Sequence, residues 1–327
     1  MGRKHIAIVF TGGTISMQHL PEQGGVVPTL SPQEILKRAP QLEELARIFP
    51  FLFGNYPGPH MTPEKMFELF QLVQSILDRP DIDGVVITHG TDTLEETAFF
   101  LDLTLNSTKP VVFVGSIRNA SEPDWDGPRN LRDGILIASH PQAQGLGVLV
   151  CLAEEIHAAS EVSKLDTSHL HTFASPNFGP VGRIVHDQVF IYRQPVHRDV
   201  FSIDHLPKFV PLLKCYAGAE PELYDCVYHQ HPEGLVVEAL GVGNVPPAVY
   251  PKILQFLEAG IPVVLTSRCP IGRVEHIYAY EGAGKQLHEA GVIFADYLNG
   301  QKARIKLIVA LGAHCTPNCL RQTFEWA

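Results

Sequence analysis

Short apolar, β-branched runs alternate with longer stretches of helical periodicity, and this alternation restricts the fold of the chain more than any other feature. The runs are Ile6 to Phe10, Val85 to Thr88, Val111 to Val114, Val148 to Leu152, Leu235 to Leu240 and Val263 to Thr266. Strands covered on both faces read as continuous apolar runs, and strands separated by helices pair in parallel. The rhythm therefore predicts an α/β fold with a doubly wound parallel sheet. Thr62-Pro63 supplies an N-cap and an N1 proline, and Met66, Phe67, Leu69, Phe70, Val73, Ile76 and Leu77 follow at 3.6-residue spacing. A second helix is expected from Thr93, with Glu96 three residues on forming a capping box.

At 327 residues the chain exceeds one ordinary domain. Periodicity dissolves between Tyr192 and Lys208, at Gln194-Pro195, Arg198-Asp199 and Leu206-Pro207. The expected organisation is an N-terminal doubly wound domain over residues 1–190, a linker over 191–208 and a smaller C-terminal α/β domain over 209–327. In the latter a strand leads through Gly241-Val242-Gly243-Asn244 to a helix from Pro246-Pro247 to Ala259, then a strand from Pro262 to Ser267 and a last helix from Gln301 to Leu311.

The formal charge of −10, with no basic stripe, argues against nucleic acid as a partner. No apolar run approaches the roughly 20 residues of a membrane span. The five apolar residues Ile6 to Phe10 are too few for a signal sequence, so the chain is expected in the cytoplasm. Its six cysteines include no CxxC pair and are expected to be reduced core filler. The tail His314-Cys315-Thr316-Pro317-Asn318-Cys319 offers half a zinc site or a late disulfide, but no second cluster at ligand spacing completes a metal site. His169-Leu170-His171 and His229-Gln230-His231 lack the spacing of helical ligands and read as solvated loop residues. Neither a metal nor another cofactor is required.

Ligands of open α/β sheets sit at the carboxyl ends of the strands. Two such ends carry chemistry. After the first strand, Thr11-Gly12-Gly13-Thr14-Ile15 combines paired glycines, which let backbone amides approach a bound group, with the Thr14 hydroxyl on a turn. After the strand ending at Thr88, His89-Gly90-Thr91-Asp92-Thr93 places a hydroxyl and a carboxylate ahead of a helix N-terminus. Either motif alone is also an ordinary β-to-α turn. Neither matches GxGxxG, a P-loop or GxSxG, which argues against dinucleotides, nucleoside triphosphates and the α/β-hydrolase elbow.

Taken together, TGGTI and HGTDT-x-E resemble the signatures of the bacterial-type L-asparaginase/glutaminase family. The resemblance continues through Gly115-Ser116-Ile117-Arg118, Asp126-Gly127-Pro128-Arg129-Asn130-Leu131, Val162-Ser163-Lys164 and Phe173-Ala174-Ser175-Pro176-Asn177. Gly241-Val242-Gly243-Asn244, Gly272-Arg273-Val274 and Gly291-Val292-Ile293 are similar to the C-terminal domain of its cytoplasmic type I branch. The resemblance implies an asparaginase-like fold and an amidohydrolase that releases ammonia or an amine from a small amide. It makes Thr14 the nucleophile of an acyl-enzyme, with Thr91, Asp92 and Lys164 as the second catalytic group. A lysine beside a carboxylate and partly desolvated can act as base or relay for a hydroxyl. The turns at Gly90 and Ser116 are implied in holding the oxyanion, and Gly58 and Pro59 in binding substrate. A site completed by a neighbouring subunit implies a homodimer or homotetramer, with Glu281 as the acidic residue supplied.

Two departures stand out. The family carries a Tyr in the mobile loop after TGGTI, and Ser16 to Leu30 holds none, with Val26 or Val27 in that region. The family's Ser-x-Asp-Met segment, which grips the substrate α-carboxylate, reads here Gly58-Pro59-His60-Met61. Losing a hydrogen-bonding hydroxyl weakens selection for free asparagine. These losses also motivate an alternative reading, a non-catalytic binding or sensing protein on the same fold. A third reading, an amidotransferase partner in tRNA charging, is disfavoured by the acidic balance and by the lack of an extra N-terminal domain.

Overall fold

A computed structural model describes residues 2–39 and 41–325. The chain divides into two compact units, Met1–Val200 and Phe201–Ala327.

In the first unit, β1 (Lys4–Gly12) runs into the turn that carries Thr14 and then a hairpin, β2 (Met17–Leu20) and β3 (Gly25–Pro28). The segment expected as a loop between Ser16 and Leu30 is thus an antiparallel ribbon, reversed at Gly24, whose left-handed φ of 67° suits glycine. Two short helices, α1 (Pro32–Arg38) and α2 (Leu42–Leu45), lead to β4 (Ala46–Tyr56). Then follow α3 (Pro63–Leu77), β5 (Gly84–Thr88), α4 (Leu94–Thr104), β6 (Val111–Val114), α5 (Gly127–Ala138) and β7 (Val148–Leu152). The unit closes with β8 (Glu155–Ala158), the small ribbon β9 (Ser163–Lys164) with β10 (Phe173–Ala174), and β11 (Gly182–Val185) with β12 (Gln188–Ile191).

Its eight-stranded sheet has the order β12-β11-β8-β7-β6-β5-β1-β4. The strands from β4 to β7 pair in parallel, as the alternation predicted, but β8, β11 and β12 extend the sheet in antiparallel register. The extension follows from connection length: β7 and β8 are joined by Ala153 and Glu154 alone, both at positive φ, and such a turn permits only antiparallel pairing. Ile6 to Phe10, Val85 to Ile87 and Val111 to Val114 are all at most 2% exposed, since helices cover both faces. Each such side chain contributes roughly 1.5–3 kcal/mol by leaving water.

The helix at Thr62 forms as expected, with the Thr62 hydroxyl accepting from the Lys65 amide. The capping box at Thr93 does not form. Thr93 precedes α4 at φ −122°, ψ 13° and makes no side-chain cap; its hydroxyl instead donates to the Gly58 carbonyl at 2.8 Å.

Residues 192–211 contain neither helix nor strand. In the second unit β13 (Leu212–Lys214), α6 (Glu222–Tyr228), β14 (Leu235–Ala239), α7 (Tyr250–Glu258), β15 (Val263–Ser267), α8 (Gly284–Ala290), β16 (Ile293–Phe294), α9 (Gly300–Gly312) and α10 (Pro317–Phe324) follow in order. The sheet β13-β14-β15-β16 is wholly parallel. Helix α7 begins at Tyr250 rather than at Pro246, because Pro246 to Val249 form a separate turn in which the Val249 amide donates to the Pro246 carbonyl at 2.9 Å. The helix ending near Leu311 is not the last: Thr316 caps α10, accepting from the Cys319 amide.

The expectation of reduced core filler holds for Cys151 and Cys215, and the tail takes the disulfide alternative. Cys151 and Cys215 are buried, Cys226 and Cys269 are exposed, and Cys315 and Cys319 form a disulfide across the first turn of α10.

Candidate active site

Three chain turns meet at the carboxyl end of the sheet in the first unit. The turn after β1 carries Gly12, Gly13 and Thr14; that after β4 carries Gly58; that after β5 carries His89 to Asp92. Backbone touches backbone where they meet. A Cβ on Gly13 would lie 2.3 Å from the Gly90 amide nitrogen, and one on Gly90 would lie 2.7 Å from Gly58 Cα. Gly13 also sits at φ 83°, which side chains rarely tolerate. The sequence of this corner is thus dictated by contact distance as much as by chemistry.

Thr14, half-buried, opens a single 3₁₀ turn through Ser16. The turn is held from two sides. Gly13 donates its amide to the Tyr56 carbonyl at 2.9 Å, and the Ser16 hydroxyl lies 2.9 Å from the Gly13 carbonyl and 2.6 Å from Asn55 Oδ1. Asn55 and Tyr56 were not singled out from sequence, because β4 itself was not read as a strand. Pro50 in its middle is a signal for an edge strand, and β4 does lie at the edge beside β1.

Thr91 is buried at 6% exposure, and Asp92 is exposed. Lys164, on β9, brings them together: its Nζ donates to Thr91 Oγ1 at 3.0 Å and to Asp92 Oδ1 at 2.8 Å. Its amide lies 3.4 Å from Glu95 Oε1, and its strand is paired through Lys164 opposite Phe173. Beneath the Gly90 turn, His89 is wholly buried and its Nδ1 meets the Gly90 carbonyl at 2.8 Å. Burial lowers its pKa to about 4, with the Gly90 contact opposing, so the ring is a neutral donor that fixes the turn. The sequence pointed to His89 only as a member of its motif.

Ser116 is fully buried, and its hydroxyl is engaged by Asp126 Oδ1 at 2.6 Å and the Arg118 carbonyl at 2.5 Å. Asp126 also accepts from the amides of Ile117 and Arg118, and Asn130 donates to the Gly115 carbonyl at 3.0 Å. The turn at Ser116 is thereby a rigid wall anchored on α5. Gly58 is buried within a 3₁₀ turn and Pro59 beside it is exposed. Glu281 lies exposed on the loop before α8 in the second unit.

Chemically, the corner offers a hydroxyl on a glycine turn and, separately, a hydroxyl hydrogen-bonded to an amine that is paired with a carboxylate. That is equipment for nucleophilic attack and proton transfer.

Comparison with known proteins gives a consistent result. The family description "Asparaginase, N-terminal" matches residues 5–197, and "Glutaminase/Asparaginase C-terminal domain" matches residues 209–324. The chain is 39% identical to a probable L-asparaginase of Deinococcus radiodurans over 98% of its own length and 96% of the relative's. It is 33% identical to an L-asparaginase of Bacillus licheniformis over 95% and 96% of the two chains. It is similar in structure to the crystal structure of a probable cytoplasmic L-asparaginase from Campylobacter jejuni, with a TM-score of 0.89, 31% identity, and 98% and 99% of the two chains covered.

Proposed function

The chain belongs to the asparaginase family, and from that premise we propose that it is an amidohydrolase acting on L-asparagine or a related small carboxamide through a threonine nucleophile. The observation that carries this reading is the Lys164 ammonium bridging Thr91 and Asp92 within 3.0 Å and 2.8 Å, on the turn that packs against the glycines ahead of Thr14.

In the proposed sequence the Thr14 oxygen attacks the amide carbonyl and its proton passes to the departing nitrogen. Ammonia or an amine leaves, and a Thr14 ester remains. Water then attacks the ester carbonyl while Thr91, in contact with Lys164, accepts its proton and passes its own on; that proton ends on the Thr14 oxygen as the Thr14–acyl bond breaks, and the product leaves as a carboxylic acid that ionises in solution. Asp92 holds Lys164 in reach of Thr91. Backbone amides of the Gly90 turn hold the developing oxyanion, with His89 and the Ser116 turn keeping them in place. Gly58 and Pro59, neither of which carries a side-chain hydroxyl, form the substrate end. A homodimer or homotetramer, with Glu281 contributed to a neighbouring subunit's site, and a place in the cytoplasm complete the proposal; among the described residues no helix is long and apolar enough to cross a membrane.

The binding-only reading draws no support from the relatives above, each named as an asparaginase. The test is ammonia release from L-asparagine, D-asparagine, L-glutamine and N- or C-blocked amides, with Thr14→Ala alongside. Turnover of at least one amide, lost in Thr14→Ala, is expected. Undiminished turnover in that variant, or none in the parent across the panel, would overturn the assignment.

A further inference from the structure

The second unit brings together three metal-ligating side chains that the amide chemistry does not use. Asp204 and His205 lie in the irregular segment before β13, and His314 follows the end of α9. His205 Nδ1 is 2.7 Å from Asp204 Oδ1, His314 Nε2 is 3.5 Å from the same oxygen, and the two imidazoles face each other with centroids 4.6 Å apart. One ligand atom from each residue falls within 4.8 Å of the others.

Backbone contact builds this meeting. A Cβ at Gly312 would lie 2.5 Å from the His205 carbonyl oxygen, so glycine at the end of α9 lets the Asp204–His205 segment lie directly on the helix. His314 then takes a left-handed φ of 55°, ending the helix. The tail motif that holds only half a metal site in the sequence thus meets its missing half from far earlier in the chain. Cys315 and Cys319 are bonded to each other, which leaves nitrogen and oxygen donors.

We propose that Asp204, His205 and His314 bind one divalent transition-metal ion of the zinc, cobalt or nickel class, with the remaining positions held by water. Two imidazoles and a carboxylate are the donors such ions prefer. Around an ion about 2.0–2.1 Å from each ligand, the donors stand roughly 2.9–3.4 Å apart, so closing from 4.8 Å takes about 1.5 Å of movement in side chains that are 44–77% exposed. The bound ion clasps the segment entering the second unit to the end of α9 and stabilises that unit by favouring its folded form.

The test is titration of tag-free, EDTA-stripped protein with Co(II) by visible spectroscopy and with Zn(II) by calorimetry, at pH 7.5 without reductant. One ion per chain is expected, with d–d bands, no thiolate charge-transfer band and a melting temperature raised by Zn(II). His314→Ala and Asp204→Ala lose that ion and that rise, while His169→Ala, an exposed histidine in the first unit, keeps both. Absence of binding to the parent chain, binding that survives in His314→Ala, or a thiolate band that puts the ion on Cys226 or Cys269 would each overturn the proposal.

Discussion

The hydroxyl of Thr93 donates to the carbonyl of Gly58 across 2.8 Å, tying the turn after β4 to the turn after β5. Because Gly58 is buried, its carbonyl has little access to water, and the bond also fixes where Pro59 projects. Replacing Thr93 by Val keeps the shape and removes the donor. The Met61 amide also donates to this carbonyl, at 3.1 Å, so the loss is one hydrogen bond of about 0.5–1.5 kcal/mol and not an orphaned group. Thr93→Val is therefore expected to raise KM for the amide more than it lowers kcat, with Thr93→Ser restoring both. Steady-state kinetics that leave KM unchanged in Thr93→Val would separate this tie from substrate binding.

Lys164 tests the proton-transfer half of the site. Lys164→Met preserves the apolar stem and deletes the ammonium that contacts Thr91 and Asp92. The expected result is a kcat lower by about 10²–10⁴ with KM within a few-fold, the size of a lost acid–base group. Stability should scarcely change, since the Asp92 side chain is 58% exposed and such a pair contributes at most about 1 kcal/mol. Asp92→Asn should lower kcat as well, but less, because it only loosens the amine. A kcat for Lys164→Met equal to the parent's would remove Lys164 from the mechanism.

The central strands of the first unit were legible because burial on both faces leaves nothing in Ile6 to Phe10 or Val111 to Val114 but apolar side chains. The same logic made β4 illegible: an edge strand alternates in exposure, and Pro50 reads as a break. Thr93 and Glu96 have capping-box spacing, yet the Gly58 carbonyl captured the hydroxyl, a tertiary competitor that no local pattern contains. Thr91 and Lys164 are 73 positions apart, and no periodicity joins them. Family resemblance alone set Lys164 beside Thr91 in the reading of the chain. The meeting of Asp204 and His205 with His314 had no such guide, and spacing rules search only neighbouring residues.

The glycines of the corner separate contact from conformation. At Gly13 a Cβ would meet the Gly90 amide at 2.3 Å, and φ is 83°. At Gly24 φ is 67° but no heavy atom lies within 4 Å of the added carbon. Gly24→Ala should therefore cost only the left-handed strain, about 1–2 kcal/mol, and keep turnover. Gly13→Ala adds a backbone clash that nothing flexible can relieve, so activity should vanish along with several degrees of melting temperature. Calorimetry and ammonia release on both variants give the comparison; similar losses in the two would mean that the close approach at Gly90 is not maintained.

Asp133 gives the fold a pH dependence of unusual sign. Its side chain is fully buried on α5, and burial pushes its pKa up to about 7. Arg129 opposes the rise from 3.1 Å, but that guanidinium also serves Glu154 at 3.1 Å and Asp187 at 2.9 Å, while the Glu154 charge adds to it. The folded state thus holds a proton that the unfolded chain, with an ordinary carboxyl near 3.8, has released. Stability from this group is complete below about 3.8 and drains away as pH rises to about 7. His89 acts oppositely: its pKa of about 4 means that stability is complete above about 6.5 and lost on acidification. The parent's melting temperature mixes both slopes, whereas the difference between Asp133→Asn and the parent cancels His89. That difference should shift in favour of the variant between pH 4 and pH 7, by on the order of 3 kcal/mol, and then level off. A difference that stays flat from pH 4 to pH 8 would mean that Asp133 is already ionised in the folded chain and that Arg129 alone satisfies it.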